Sequence, residues 1–66
     1  MKKLEYKKEY ENQDIDIICY DLKNKSDYII FNKRKTDTPK DYYKRIIEHI
    51  NLNLGYCYSK AIIKIN

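Results

Sequence analysis

Hydrophobic residues fall along this chain in two rhythms, a period of two towards both ends and a helical period between them. In residues 3–10, Leu4, Tyr6 and Tyr10 lie on one side while Lys3, Glu5, Lys7 and Glu9 lie on the other, interrupted by Lys8. Alternation of this kind predicts a half-buried strand. Residues 14–22, DIDIICYDL, place Ile15, Ile17 and Cys19 on one face and Ile18, Tyr20 and Leu22 on the other. Apolar side chains on both faces predict an interior strand. A polar turn over residues 23–27 then leads into YIIFN at 28–32, which predicts a third strand and a meander.

The helical rhythm follows. Thr38 as N-cap, Pro39 at the first helical position and Asp41 in the first turn suit a helix N-terminus. From there Tyr43, Ile46, Ile47, Ile50 and Leu54 form one apolar stripe, with Lys44, Arg45, Glu48 and Asn51 facing away. Gly55, the only glycine, stands where a residue of positive φ ends a helix. Alternation resumes in YCYSKAIIKI at 56–65: Cys57, Ser59, Ala61, Ile63 and Ile65 are assigned to the helix-covered core, leaving Tyr56, Tyr58, Lys60, Ile62 and Lys64 on the open face. The order β-β-β-α-β predicts a small two-layer α+β sandwich, with one helix packed on a mostly antiparallel sheet and a single domain over residues 1–66. A right-handed crossover through the helix would run the last strand parallel to the strand beside it.

Size and composition narrow the function. A domain of 66 residues buries only roughly 60% of its unfolded surface, so tight packing or a partner surface has to supply much of its stability. Two cysteines make a poor disulfide framework, no apolar run approaches the length of a membrane span, and the N-terminal residues lack a signal-peptide core. These features predict a cytoplasmic protein with reduced thiols, acting in the host cytoplasm where a phage encodes it. A net charge of +4 permits an anionic partner without requiring one.

Catalytic patterns are lacking in the sequence. The single histidine, His49, has no cysteine near it in sequence to complete a nucleophilic pair. Cys19 and Cys57 have neither CxxC spacing nor a second histidine, which predicts buried free cysteines rather than zinc ligands. Asp14 and Asp16 share a strand face, as paired Mg²⁺ carboxylates do, and Glu5-Tyr6-Lys7 has the E-x-K form of some nucleases, but the acidic residue expected upstream of E-x-K has no place in this sequence. One glycine cannot make a phosphate-cradling loop. The sequence therefore predicts a non-enzymatic protein without cofactor or metal.

Two surfaces remain as candidates. The first is a basic patch of Lys33, Arg34, Lys35, Lys40, Lys44 and Arg45 around the helix start, where residues 33–49 hold six cations against three acids. A helix N-terminus suits phosphate, yet Asp37 and Asp41 stand at the same place and oppose it. The second is the tyrosine supply. Of eight tyrosines, Tyr6, Tyr10, Tyr43 and Tyr28 are assigned to the core margin, and Tyr20, Tyr56 and Tyr58 to the open sheet face with Lys60 and Lys64. Exposed tyrosines bordered by charge suit a protein hot spot. They also suit base stacking in a nucleic-acid binder with the basic patch on phosphates. Burial of these faces against a second copy would make a homodimer. The leading expectation is a small binding protein that masks a partner protein's surface, in the manner of an accessory or phage-type inhibitor, with direct nucleic-acid binding as the alternative.

Overall fold

The strand expected to be interior takes the central place. The computed structural model describes residues 3–33 and 38–66 and contains, in chain order, a short 3-10 helix Lys8–Asn12, strand β1 Ile15–Asp21, strand β2 Tyr28–Phe31, helix α1 Tyr42–Asn53 and strand β3 Tyr58–Ile65. The strands form one sheet of order β2-β1-β3, with β1 antiparallel to both neighbours. Ile15, Ile17 and Cys19 point under α1 and are sealed from solvent, while Ile18 and Tyr20 on the opposite face are half-buried. The architecture is the expected small α+β sandwich of a helix on an antiparallel sheet. No helix among the described residues is long and apolar enough to cross a membrane.

Its last strand departs from expectation in one respect. β3 lies beside β1 and antiparallel to it. The crossover through α1 does connect two parallel strands, β2 and β3, but it steps over β1 to do so. The strand apolar on both faces thus gains a neighbour on each edge.

Residues 3–10 do not form the expected strand. The chain is extended up to Lys7 and then turns into the 3-10 helix, with Leu4 and Tyr6 half-buried and Tyr10 buried against the core. The alternation therefore reads the apolar side correctly and the pairing wrongly. The backbone of Leu4 finds a side chain instead of a strand: the Asn51 carboxamide accepts from its N–H at 2.8 Å and donates to its C=O at 2.9 Å. Asn51, expected to face away from the core, is turned inward by this clamp.

Helix α1 starts later than Thr38 and Pro39 suggest. Those residues precede a turn in which the Tyr42 N–H bonds the Pro39 carbonyl at 3.1 Å, and Asp41 occupies the N-cap position without a side-chain capping bond. The cap comes from far away in sequence, because the Glu11 carboxylate accepts the Tyr43 N–H at 2.9 Å. The stripe itself is as expected: Tyr43, Ile47 and Ile50 are buried, and Ile46 and Leu54 pack against them. Gly55 ends the helix with φ 87°, a value that only glycine adopts without strain.

Tyr43 joins these elements. Only 1% of it is exposed; its hydroxyl donates to the Ile15 carbonyl at 3.1 Å and accepts the Lys33 N–H at 3.2 Å. Buried phenols that keep both partners stabilise a fold, and removal of one buried hydrogen-bonding group costs about 1 to 2 kcal/mol. Tyr43→Phe is therefore expected to lower the melting temperature by about 4 to 8 °C for each kcal/mol lost. A calorimetric melt identical to that of the parent chain would show that the hydroxyl does not hold α1 to the sheet.

Candidate binding surface

α1 covers one face of the sheet, and the other face is open. Cross-strand register sets the composition of that open face: Tyr28, Tyr20 and Lys60 form one row, Ile30, Ile18 and Ile62 the next, and Asp16 pairs with Lys64 beyond them. Directly opposed side chains on one face of a sheet touch one another, so the middle row is a continuous apolar stripe. Its outer members are well exposed, Ile30 at 49% and Ile62 at 44%, and Tyr28 beside them at 58%. Tyr28, expected at the core margin, belongs to this face. The Tyr20 ring lies 5.9 Å from that of Tyr28 and under the Lys60 ammonium at 4.8 Å, a cation–π arrangement that holds the ring in place.

Of the five residues assigned from sequence to this surface, Tyr20, Lys60 and Lys64 lie on it, and Tyr56 and Tyr58 do not. Tyr56 sits in the turn after α1, 79% exposed. Tyr58 is carried to the helix side by an irregularity in the β1–β3 register: Tyr20 pairs with Lys60, but Asp21 pairs with Tyr58, so Ser59 is skipped. A bulge of this kind reverses which face each later side chain takes. The Tyr58 hydroxyl then meets His49 Nε2 at 3.3 Å, and the two rings stand edge to face. Asn53 Nδ2 donates to the His49 carbonyl at 2.8 Å and lies 3.4 Å from His49 Nδ1. His49 thus has structural partners on both nitrogens. Sequence reading placed Ile62 on the open face but did not join it with Ile18 and Ile30 into one stripe, although their shared even parity on neighbouring strands was the available signal.

Among the described residues, the cations of the basic patch make separate contacts. Arg34 and Lys35, with Asp37, lie outside the described residues. Lys33 folds inward: its ammonium donates to the Glu11 carbonyl and lies 5.5 Å from the centre of the Tyr43 ring. Arg45 is paired with Asp41 at 2.9 Å one helical turn away. Lys40 borders a cleft together with Lys8, Lys33, Glu11 and Asp41, while Lys44 projects from the exposed side of α1. The Tyr43 amide at the helix start already holds a carboxylate, that of Glu11.

The carboxylates considered for metal binding are likewise engaged. The Asn32 amide donates to both Asp14 and Asp16, tying the end of β2 to the start of β1. Among the described residues no group of three His, Cys, Asp or Glu side chains is placed to hold a metal ion.

The two cysteines are both free but differ. Cys19 is buried, as expected, and burial pushes its thiol up to about 11, whereas Cys57 is exposed in the turn before β3 rather than in the core. Burial, together with the Cys19 and Cys57 thiols beside it, also raises the Tyr58 hydroxyl. A disulfide reagent is therefore expected to label one thiol per native chain and two after denaturation; rapid labelling of both in the native state would contradict the burial of Cys19. Between pH 9 and about 11 the unfolded chain releases the Cys19 proton and the folded chain keeps it, so stability should fall as pH rises through that window. Cys19→Val should flatten part of that fall in denaturant titrations. Comparison with protein-family models, with curated proteins and with solved structures finds no match for this chain, and its surface chemistry carries the functional reading.

Proposed function

We propose that this chain is a small non-enzymatic binding protein that docks the open face of its sheet on a partner protein and masks the surface it covers. One observation carries the reading: the stripe Ile30–Ile18–Ile62, with Tyr20 and Tyr28 beside it, is an apolar face that no element of the described chain covers. Contiguous exposed apolar area rimmed by polar side chains marks an interaction site, and tyrosine beside it gives large contact area at low entropic cost.

The border defines the partner. Lys60 and Lys64 edge the stripe along β3, and Lys3 and Lys7 stand across a shallow cleft from β3. The complementary surface is apolar at its centre and acidic along one side, which speeds and orients association. Support for a nucleic-acid partner is weaker, because Tyr58 faces α1, Tyr56 is in a separate turn, and Lys33 and Arg45 already have partners.

Tagged chain is incubated with nuclease-treated lysate of the producing or host cell, and a stoichiometric protein partner is expected. Ile62→Glu and Tyr20→Ala should each weaken its capture at least tenfold, a loss of about 1.4 kcal/mol, while Lys44→Glu on the far side should leave it unchanged. In parallel, anisotropy with short DNA and RNA is measured at about 50 and 200 mM salt, where phosphate contacts give a steep salt dependence. Tight, salt-sensitive binding abolished by Lys40→Glu with Lys44→Glu and untouched by Ile62→Glu would overturn the protein-docking reading.

A further inference from the structure

The two edges of the sheet differ. β3 carries Lys60 and Lys64, and Lys3 and Lys7 lie across the cleft beside it with Glu5 as the one acid, so cations outnumber acids along this edge and a second copy of a chain of net charge +4 is disfavoured there. Charge of this kind is the usual protection of an edge strand against pairing. β2 has none of it. Its four residues, Tyr28-Ile29-Ile30-Phe31, contain no charge and no proline and pair regularly with β1, and Tyr28, Ile29 and Ile30 are 58%, 52% and 49% exposed. Ile29 lies on the helix side of the sheet and Ile30 on the open side, and both are about half exposed, so among the described residues no element covers this edge at either position; α1 packs towards β3 and the 3-10 helix instead.

The hydrogen-bond phase of β2 identifies what fits it. The Asp21 N–H bonds the Asp27 carbonyl at 2.9 Å, in the same register that pairs Tyr20 with Tyr28. Antiparallel pairs alternate between bonded and non-bonded, so Ile29 and Phe31 turn their N–H and C=O groups towards β1, and Tyr28 and Ile30 turn theirs outward. From this geometry we infer that β2 is a dimerisation edge, pairing antiparallel with β2 of a second copy about a two-fold axis at Ile29. In that register Tyr28 stands opposite Ile30 of the second copy, and Ile30 opposite its Tyr28. The outward donors and acceptors of each strand then match those of the other one for one, with none left over. Ile29 meets its own counterpart on the helix side, and tyrosine meets isoleucine twice on the open side, a favourable cross-strand pairing. Self-complementarity about an axis is what a symmetric interface requires. The two sheets become one, and their open faces become continuous.

This pairing is independent of the partner protein proposed above and is read by mass alone. Two four-residue strands bury less than the roughly 1,000 Å² of a durable complex, so the dimer should be weak and concentration-dependent. Sedimentation equilibrium from about 20 µM to 2 mM, the span suited to small interfaces, should show the mass rise from one chain towards two. Ile30→Pro removes only an outward N–H, leaves every β1–β2 bond in place, and should keep the chain monomeric throughout. Ile29→Lys and Ile29→Glu, at a half-exposed position, should each weaken association at least tenfold, and an equimolar mixture of the two should restore it, because only residues on the axis face themselves. Amide exchange at Tyr28 and Ile30 should be fast in dilute solution and slow at high concentration, with Ile29 and Phe31 slow in both. Far-UV circular dichroism checks that the variants fold; where Ile30→Pro does not, the charge-swapped mixture decides. A wild-type mass of one chain up to 2 mM, a dimer unaffected by Ile30→Pro in a folded chain, or a mixture no tighter than its components would each overturn the proposal.

Discussion

The contact on which the rest of this fold depends is made by one residue, Tyr43. Its ring fills the space between α1 and the sheet, its hydroxyl bonds the backbone at Ile15 and Lys33, and its amide is capped by Glu11. Three segments distant from it in sequence, at Glu11, Ile15 and Lys33, therefore converge on the first turn of α1. A helix this short is marginal in isolation, and its own N-terminal residues make no side-chain cap. Tertiary contacts supply what local sequence does not, which is how a chain with so small a core fixes where its helix begins.

The same constraint shows which parts of the fold were legible in the sequence. β1 and the stripe of α1 were, because Ile15, Ile17 and Cys19 and then Tyr43, Ile47 and Ile50 follow simple periods that burial enforces. Gly55 was legible because positive φ has few other occupants. The N-terminal segment was not: Leu4 and Tyr6 alternate as a strand does, but whether an extended backbone pairs with a strand or with the Asn51 carboxamide is decided by a contact 47 positions away. The helix start was misread for a related reason, since Thr38 and Pro39 are good local signals overridden by Glu11.

The make-up of the open face was half legible. Tyr20, Lys60 and Lys64 were found because they share a strand parity that the register preserves. Tyr58 was misplaced by a single skipped residue, Ser59, which no periodic pattern records and which moves an aromatic side chain through the plane of the sheet. The clustering of cations between residues 33 and 45 suggested a site, whereas among the described residues two of them are held separately, Lys33 on Glu11 and Arg45 on Asp41. Charge density along a sequence is not charge density on a surface.

Core and open face are also coupled, because they share β1. Ile17 and Ile18 are consecutive residues, the first sealed under α1 and the second in the middle of the exposed stripe. Water kept from Ile18, Ile30 and Ile62 by a bound surface lowers the free energy of the folded chain alone, since the unfolded chain has no such stripe to cover. A domain of this size buries a smaller share of its unfolded surface than larger domains do, so that increment is large relative to its own margin. In the proposed binding mode, occupation of the open face thus stabilises the sheet that presents it, and the uncovered isoleucines link the marginal stability of the chain to its recognition of a partner.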